Sequence, residues 1–285
     1  MNRHWQTRTN ATALTMSALL GLGALAGCSG SSPASPAATA SASQSGSPSR
    51  PSAGASARSA QGTQAPATQS APALLSSARA ALRAGVSVHV VNTESTPQGS
   101  ITDSNDDTAS GGRQVITIDG TGHVTILLIA GIDYVQADAN GLADLFQVPQ
   151  PQADEFAGQW IALKSGGKLG ASTYADVTAG ITLSSVASEL DLNGTPVLAD
   201  PTTIAGQRVV GIQTPLPASD QLPAAARQVL YMTDNSLLRP VLLEVTNAGS
   251  YKNQMSFSDW GETLHLAAPT NAIPASSVTP ASSIT

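Results

Sequence analysis

Cysteine is almost absent from this chain: Cys28 is the only one among 285 residues. No internal disulfide can form, so an exported domain built from it must stand on its core alone. Large aromatics are few, with three Trp and three Phe, and the apolar content is Val, Ile, Leu and Ala. Basic residues are outnumbered, 13 Lys and Arg against 19 Asp and Glu, for a formal net charge of −6. With no Lys/Arg cluster, that balance excludes nucleic acid as a partner. No hydrophobic run reaches membrane-spanning length. The longest uncharged one, 11–26, has about 16 residues, the length of a signal h-region.

What the N-terminus does contain is a signal-like order. Arg3, His4 and Arg8 come first, then the uncharged run, then Leu25-Ala26-Gly27-Cys28. The tetrapeptide resembles the lipobox of bacterial lipoproteins. That resemblance implies diacylglyceryl transfer to the Cys28 thiol and cleavage before it, so that 1–28 is a signal peptide ending at a lipidated cysteine. One acyl chain anchors weakly and two or three anchor stably; a mature lipoprotein cysteine carries the latter. The expected location is the outer face of the plasma membrane. An ordinary secretory signal with a chance cysteine is the other reading.

Residues 29–70 are Ser, Ala, Pro, Gly, Gln and Thr, with Arg50 and Arg58 the only charges. Such a segment cannot bury enough apolar surface to offset its ordering entropy, so a disordered tether is expected. The folded part is expected over 71–272, long enough for one core, with 273–285 a loose Ser/Pro/Ala tail.

Within that part, 72–84 predicts a helix, with Leu74, Leu75, Ala78 and Leu82 on one face and Gly85 at its end. Strands are predicted at 86–94, 114–119, 122–130 and 132–137. The polar, acidic stretch 96–112 (Asp103, Asp106, Asp107) reads as a long loop or ragged hairpin. The strand at 122–130 is apolar on both faces, through Val124, Ile126 and Leu128 and through Leu127 and Ile129, so both faces need cover. A short helix is expected at 141–148, ended by Pro149 and Pro151, then a strand over 156–163. A second helix is expected at 182–190, with Thr182 as N-cap. Period-2 alternation marks strands at 207–214, 227–233, 240–246, 251–258 and 262–267. Helix, meander, helices, meander is an α+β pattern: a strongly curved antiparallel sheet, or half-open β-barrel, with a few helices covering its concave face.

Candidates for chemistry are few. Apart from His4, the histidines are His89, His123 and His265, on separate strands, on outward faces and at no metal-ligand spacing. Gly166-Gly167-Lys168-Leu169 lacks the Ser/Thr of a phosphate loop. Asp106-Asp107 and Asp154-Glu155 read as solvated loop charges. There is no Gly-x-Ser-x-Gly elbow and no His-Glu-x-x-His. No enzyme, metal site or cofactor is expected.

Several segments nonetheless fit a known pattern. Ser87-Val88-His89-Val90 follows the first helix. Gly131-Ile132-Asp133-Tyr134-Val135 is a Gly-x-x-Tyr strand with Trp160 downstream. Gln254-Met255-Ser256-Phe257-Ser258-Asp259-Trp260-Gly261-Glu262 looks like a closing hairpin with a Trp-Gly pair. In that order, over about 74–272, the chain resembles the mycobacterial-type lipoproteins of the LppX/LprA/LprF/LprG group. The resemblance implies a half-barrel that binds the acyl chains of a lipid or glycolipid and moves them outward from the plasma membrane. It implies three partners: the lipid, the membrane reached through Cys28, and a membrane exporter. The candidate lining of such a cavity is Ile116, Ile126, Leu128, Tyr134, Phe146 and Trp160, together with Leu230, Met232, Leu243, Met255 and Phe257. Plain core packing is the other reading for each. The chain departs from the group in its long tether and in its Pro/Gly-rich insert at 149–178. A second class stays open: a non-catalytic tethered sensor or assembly module whose barrel is fully packed.

Overall fold

The computed structural model describes residues 69–278, apart from 98, 120, 191, 193 and 219–222. Cys28 and the tether lie outside the described residues. The predicted first helix is α1 (Ala71–Arg83), with Pro72 in its first turn, where no N–H is needed, and Leu74, Leu75, Ala78 and Leu82 all buried. An antiparallel run follows: β1 (Ser87–Thr96), β2 (Gly99–Thr108), β3 (Gly112–Ile118), β4 (Gly122–Ile129) and β5 (Ile132–Ala137).

The stretch expected as a long loop or ragged hairpin holds β2, a regular ten-residue strand. It lacks an apolar alternation, so periodicity misses it. Its backbone is paired on both edges, with β1 and with β3. Ladder hydrogen bonds need no apolar side chains, and tertiary pairing overrides weak strand propensity.

Next come α2 (Ala139–Phe146), α3 (Gln150–Phe156), β6 (Trp160–Lys164), β7 (Lys168–Leu169), β8 (Ser172–Thr173), α4 (Tyr174–Thr178) and α5 (Leu183–Glu189). Asp138 caps α2 by accepting from the Gly141 N–H at 2.7 Å. Pro149 and Pro151 do end α2, but they also start α3, where proline's fixed φ suits a first turn. Phe156 therefore closes a helix instead of opening a strand. Thr182 caps α5 as predicted, in a reciprocal box with Ser185.

The last third holds β9 (Val197–Leu198), β10 (Thr202–Ile204), β11 (Gln207–Pro215), β12 (Arg227–Thr233), β13 (Pro240–Thr246), β14 (Lys252–Ser258) and β15 (Ile273–Pro274). The strand expected at 262–267 is absent, because β1 already occupies the free edge of β14. The chain leaves the sheet at Trp260, and the Gly261 N–H donates to the Ser87 carbonyl at 3.0 Å. The first part of the expected tail, 273–278, is ordered in the fold, and 279–285 lie outside the described residues. β15 pairs in parallel with β6, and Ala275 and Val278 are buried.

The main sheet runs β10-β11-β12-β13-β14-β1-β2-β3-β4-β5-β6-β15, with β9 also on β11. Its two ends do not pair with each other, so the sheet is half-open and the fold is α+β, as expected. The helices bury one face of it, the inner face. Two apolar clusters lie there. One joins α1 and α5 to β1 and β11–β14. The other joins β4–β6 to α2, α4 and the segment 275–278. On the outer face no helix is needed to cover β4: Leu127 lies opposite Tyr134 and Ile129 opposite Ile132, each half-buried.

Leu230→Ala, at a site with no exposure, is expected to cost about 3 kcal/mol, whereas Leu127→Ala should cost about 0.5 kcal/mol or less. Urea unfolding of both variants checks the assignment of faces.

Candidate functional site

Strand register lays the inner face out in rows. One row crosses nine strands: Ile212, Leu230, Leu243, Met255, Asn92, Asp103, Ile116, Val124, Ala137. A second reads Phe257, Val90, Asn105, Gln114, Ile126, Val135, Ile161. A third reads Val88, Asp107, Gly112, Leu128, Asp133, Leu163. Each row is polar at β2, in two rows also at one strand beside it (Asn92, Gln114), and mostly apolar beyond, Asp133 of β5 excepted. The inner face is thus two apolar fields divided by a seam of Asp103, Asn105 and Asp107.

The expected lining residues sort onto this layout. Leu230, Met232, Leu243, Met255 and Phe257 belong to the cluster under α1 and α5. Ile126, Leu128 and Phe146 belong to the other cluster, with Ile116 packed at its margin. Tyr134 and Trp160 do not join them. Strand alternation puts Asp133 and Val135, then Ile161 and Leu163, on the inner side, so Tyr134 and Trp160 project outward and are half-exposed. The nine inner residues pack on their own neighbours. Two depressions lie elsewhere. One, of about 340 Å³, is bordered by Asp200, Thr202, Gln213 and Arg227; the other, of about 270 Å³, sits at the 165–168 turn beside Tyr174.

The seam is what sequence reading missed. Asp107 has no exposed surface, and neither of its carboxylate oxygens has a hydrogen-bond partner. Burial pushes its carboxyl up to about 9, helped by the nearby charges of Asp103, Glu189 and Asp106. Asp103 accepts from Gln114 Nε2 at 2.9 Å, and from Asn105 Nδ2 at 2.7 Å with the Asn105 amide turned to satisfy both groups. Burial still raises it to about 6, against those two hydrogen bonds. Glu189, at the end of α5, is raised to about 7 by burial and by Asp103. Asp133 is a separate case. It is fully buried among the second cluster, unpartnered, and raised to about 7 by burial alone.

Gly112 shows how closely the cover approaches the seam. A Cβ there would meet the Asp106 and Ile181 carbonyl oxygens at 2.7 Å each and Asp107 Oδ1 at 2.9 Å. Only glycine lets the 180–182 segment cross β2 at this point. Ile181 then packs in one cluster and Leu183 in the other.

The outer face brings together one further set. His89 Nδ1 and Asp106 Oδ1 are 2.6 Å apart, and Ser258 stands opposite His89 in register. The Ser258 hydroxyl donates to Asp259 Oδ2 at 3.0 Å rather than to His89. His123 is bonded to Thr117 Oγ1 at 3.0 Å. Among the described residues, no three His, Cys, Asp or Glu side chains are placed to hold a metal. No helix among them is long and apolar enough to cross a membrane.

No protein-family model matches the chain, and no curated protein matches it. Solved structures align with most of the described part of the chain. Lipoprotein LppX of Mycobacterium tuberculosis aligns at 16% identity over 69% of this chain and 99% of its own, with a TM-score of 0.43. LprF of Mycobacterium bovis aligns at 14% identity over 70% and 96%, with a TM-score of 0.44. A LolA superfamily protein of Nitrosomonas europaea aligns at 13% identity over 69% and 96%, with a TM-score of 0.24.

The raised carboxyls set the direction of a pH effect. Their ordinary values are 3.8 for aspartate and 4.5 for glutamate. Above those values the unfolded chain has lost these protons while the folded chain still holds them, so stability falls as pH rises. The decline runs from about pH 4 through the raised values, about 6 to about 9. The melting temperature is expected to fall between pH 5 and pH 9, and Asp107→Asn should flatten the upper part of that profile.

Proposed function

We propose that this chain is a membrane-anchored extracytoplasmic lipoprotein. In this reading it is acylated at Cys28, binds the acyl chains of a lipid or glycolipid at its inner face, and carries or presents them across the cell envelope. The observation that carries the reading is the makeup of that face. A half-open sheet lays two apolar fields under separate short helices, and the longest of them, α1, has 13 residues. Burial of such fields is driven by area and is not directional, so an acyl chain can take the place of a helix face. Eight of the eleven candidate residues lie on the inner face of the sheet, and Phe146 meets it from α2. The lipobox-like Leu25-Ala26-Gly27-Cys28 supplies the address and the anchor. A plasma-membrane exporter would be the delivering partner.

One observation favours a second reading. The inner side chains are gathered in two buried clusters, and the depressions beside Asp200 and Arg227 and at the 165–168 turn lie outside them. A packed half-barrel on a tether would instead be a sensor or assembly module that binds a protein.

Native mass spectrometry of the full chain, purified from its own type of host, separates the two. A carrier is expected to show adducts in the phospholipid or glycolipid mass range that disappear on organic extraction. A photoactivatable acyl probe should then label peptides of β12 and β14 and spare Tyr134 and Trp160. A clean mass with no uptake of offered lipid would overturn the carrier and leave the packed module.

A further inference from the structure

The cover of the larger apolar field rests on the acidic seam. α5 is a seven-residue helix, too short to hold its shape without tertiary packing. Leu183, Val186, Ala187 and Leu190 fix its apolar side to the cluster that α1 also covers. Its approach passes over β2, where Thr108 and Thr182 form an isolated parallel bridge. Its far end carries Glu189 over the same strand, with Oε1 beside Gly180. The cover is therefore pinned along β2, the one inner strand without apolar side chains at its centre.

We propose that the carboxyl seam is a pH-sensitive latch: with its acids protonated, α5 lies down on β2, and when they ionise, α5 and α1 lift and open the apolar inner face to an acyl chain. The proposal rests on the carrier reading and supplies its regulation. The groups that face the seam are nearly all of one sign. β2 contributes Asp103 and Asp107, with Asp106 adding its charge from the opposite face, and α5 contributes Glu189. β3 contributes the neutral Gln114, and Arg113 of that strand is exposed. β1 contributes the neutral Asn92 to this face, while His89 bonds Asp106 on the other. The basic group at the cover is Arg79 of α1, whose Nη2 donates to the Leu190 carbonyl at 3.3 Å.

The physics gives the direction. Asp107 is sealed, has no donor within reach and has a main-chain carbonyl close by. A neutral carboxyl tolerates that place, and an ionised one does not. Asp103 and Glu189 lose their protons first, at about 6 and about 7. Their charges then oppose each other across the β2–α5 contact, and each also opposes ionisation of Asp107. Lifting α5 hydrates all three at once. Water entering beneath α5 uncovers Leu230, Met232 and Leu243, which α1 and α5 otherwise cover. Acid closes the face and alkali opens it. A single strand thus links proton concentration to access, without a hinge and without a metal.

Two readouts on the full chain test this across pH 5.5 to 8.5. Hydrogen exchange, corrected for its intrinsic pH dependence, reports on 71–83 and 183–190. The fluorescence of N-phenyl-1-naphthylamine, uncharged over this range, reports on acyl-type binding. Protection of both helices is expected to fall at least tenfold as pH rises, with probe fluorescence rising in step. In Asp107→Asn combined with Glu189→Gln, both changes should vanish and the face should stay closed. If that variant does not fold, Glu189→Gln alone, which keeps the side chain's size and shape, should shift the transition to higher pH. Protection that stays flat with pH, or falls equally in the variants, would overturn the latch. Flat protection with probe bound at every pH would overturn the latch and leave the carrier standing. Protection that falls with pH in the wild type alone, with no probe bound at any pH, would support the latch and remove the carrier.

Discussion

The pairing of β2 with β1 on one edge and β3 on the other joins the two halves of this sheet. On one side lies the meander of the last third, recruited through the β14–β1 contact; on the other lies β3 to β6. Ten backbone pairs along β1 and seven along β3 make the joint. A backbone ladder asks nothing of side-chain polarity, and so β2 is free to carry carboxyls in the middle of rows whose outer strands carry mostly aliphatics. The division of the core into two clusters follows from that substitution of polar for apolar groups in the middle of the rows.

The same choice sets the electrostatics. Apolar neighbours on both sides keep water from Asp107, and a carboxyl with neither water nor donor holds its proton. Gln114 and Asn105 partly satisfy Asp103, which is why it stays lower than Asp107. Like-signed acids held together under a short helix form an interface whose stability varies with pH. A hydrophobic core alone would not, because burial of aliphatic area carries no proton dependence.

The termini of the fold also depend on edge strands being taken. β1 closes β14, so the chain after Ser258 cannot add another strand. Trp260 instead folds back over the end of α1, with the Arg239 guanidinium 5.1 Å from its ring centroid, a distance at which cation–π attraction contributes. The free edge of β6 is taken by β15, which ties 273–278 into the second cluster. Each end of the domain is thus fastened by a contact between residues far apart in sequence.

Much of this was legible in the chain itself. Helical spacing of Leu74, Ala78 and Leu82, the Thr182 cap, and the period-2 runs of β4, β5, β12 and β13 are local signals, and local sterics and alternation decide them. The α+β class and the covered sheet followed from their order. Alternation alone could also have turned Tyr134 and Trp160 outward, since Val135 and Ile161 are the apolar alternates. What no local signal carries is which strand lies beside which. The pairing of β14 with β1, the existence of β2 as a strand, and the burial of Asp107 all come from contacts between segments distant in sequence. An aspartate in an acidic stretch reads as solvated because its own neighbours are polar. It is buried because β1, β3 and the approach to α5 close around it, and only the tertiary structure brings those together.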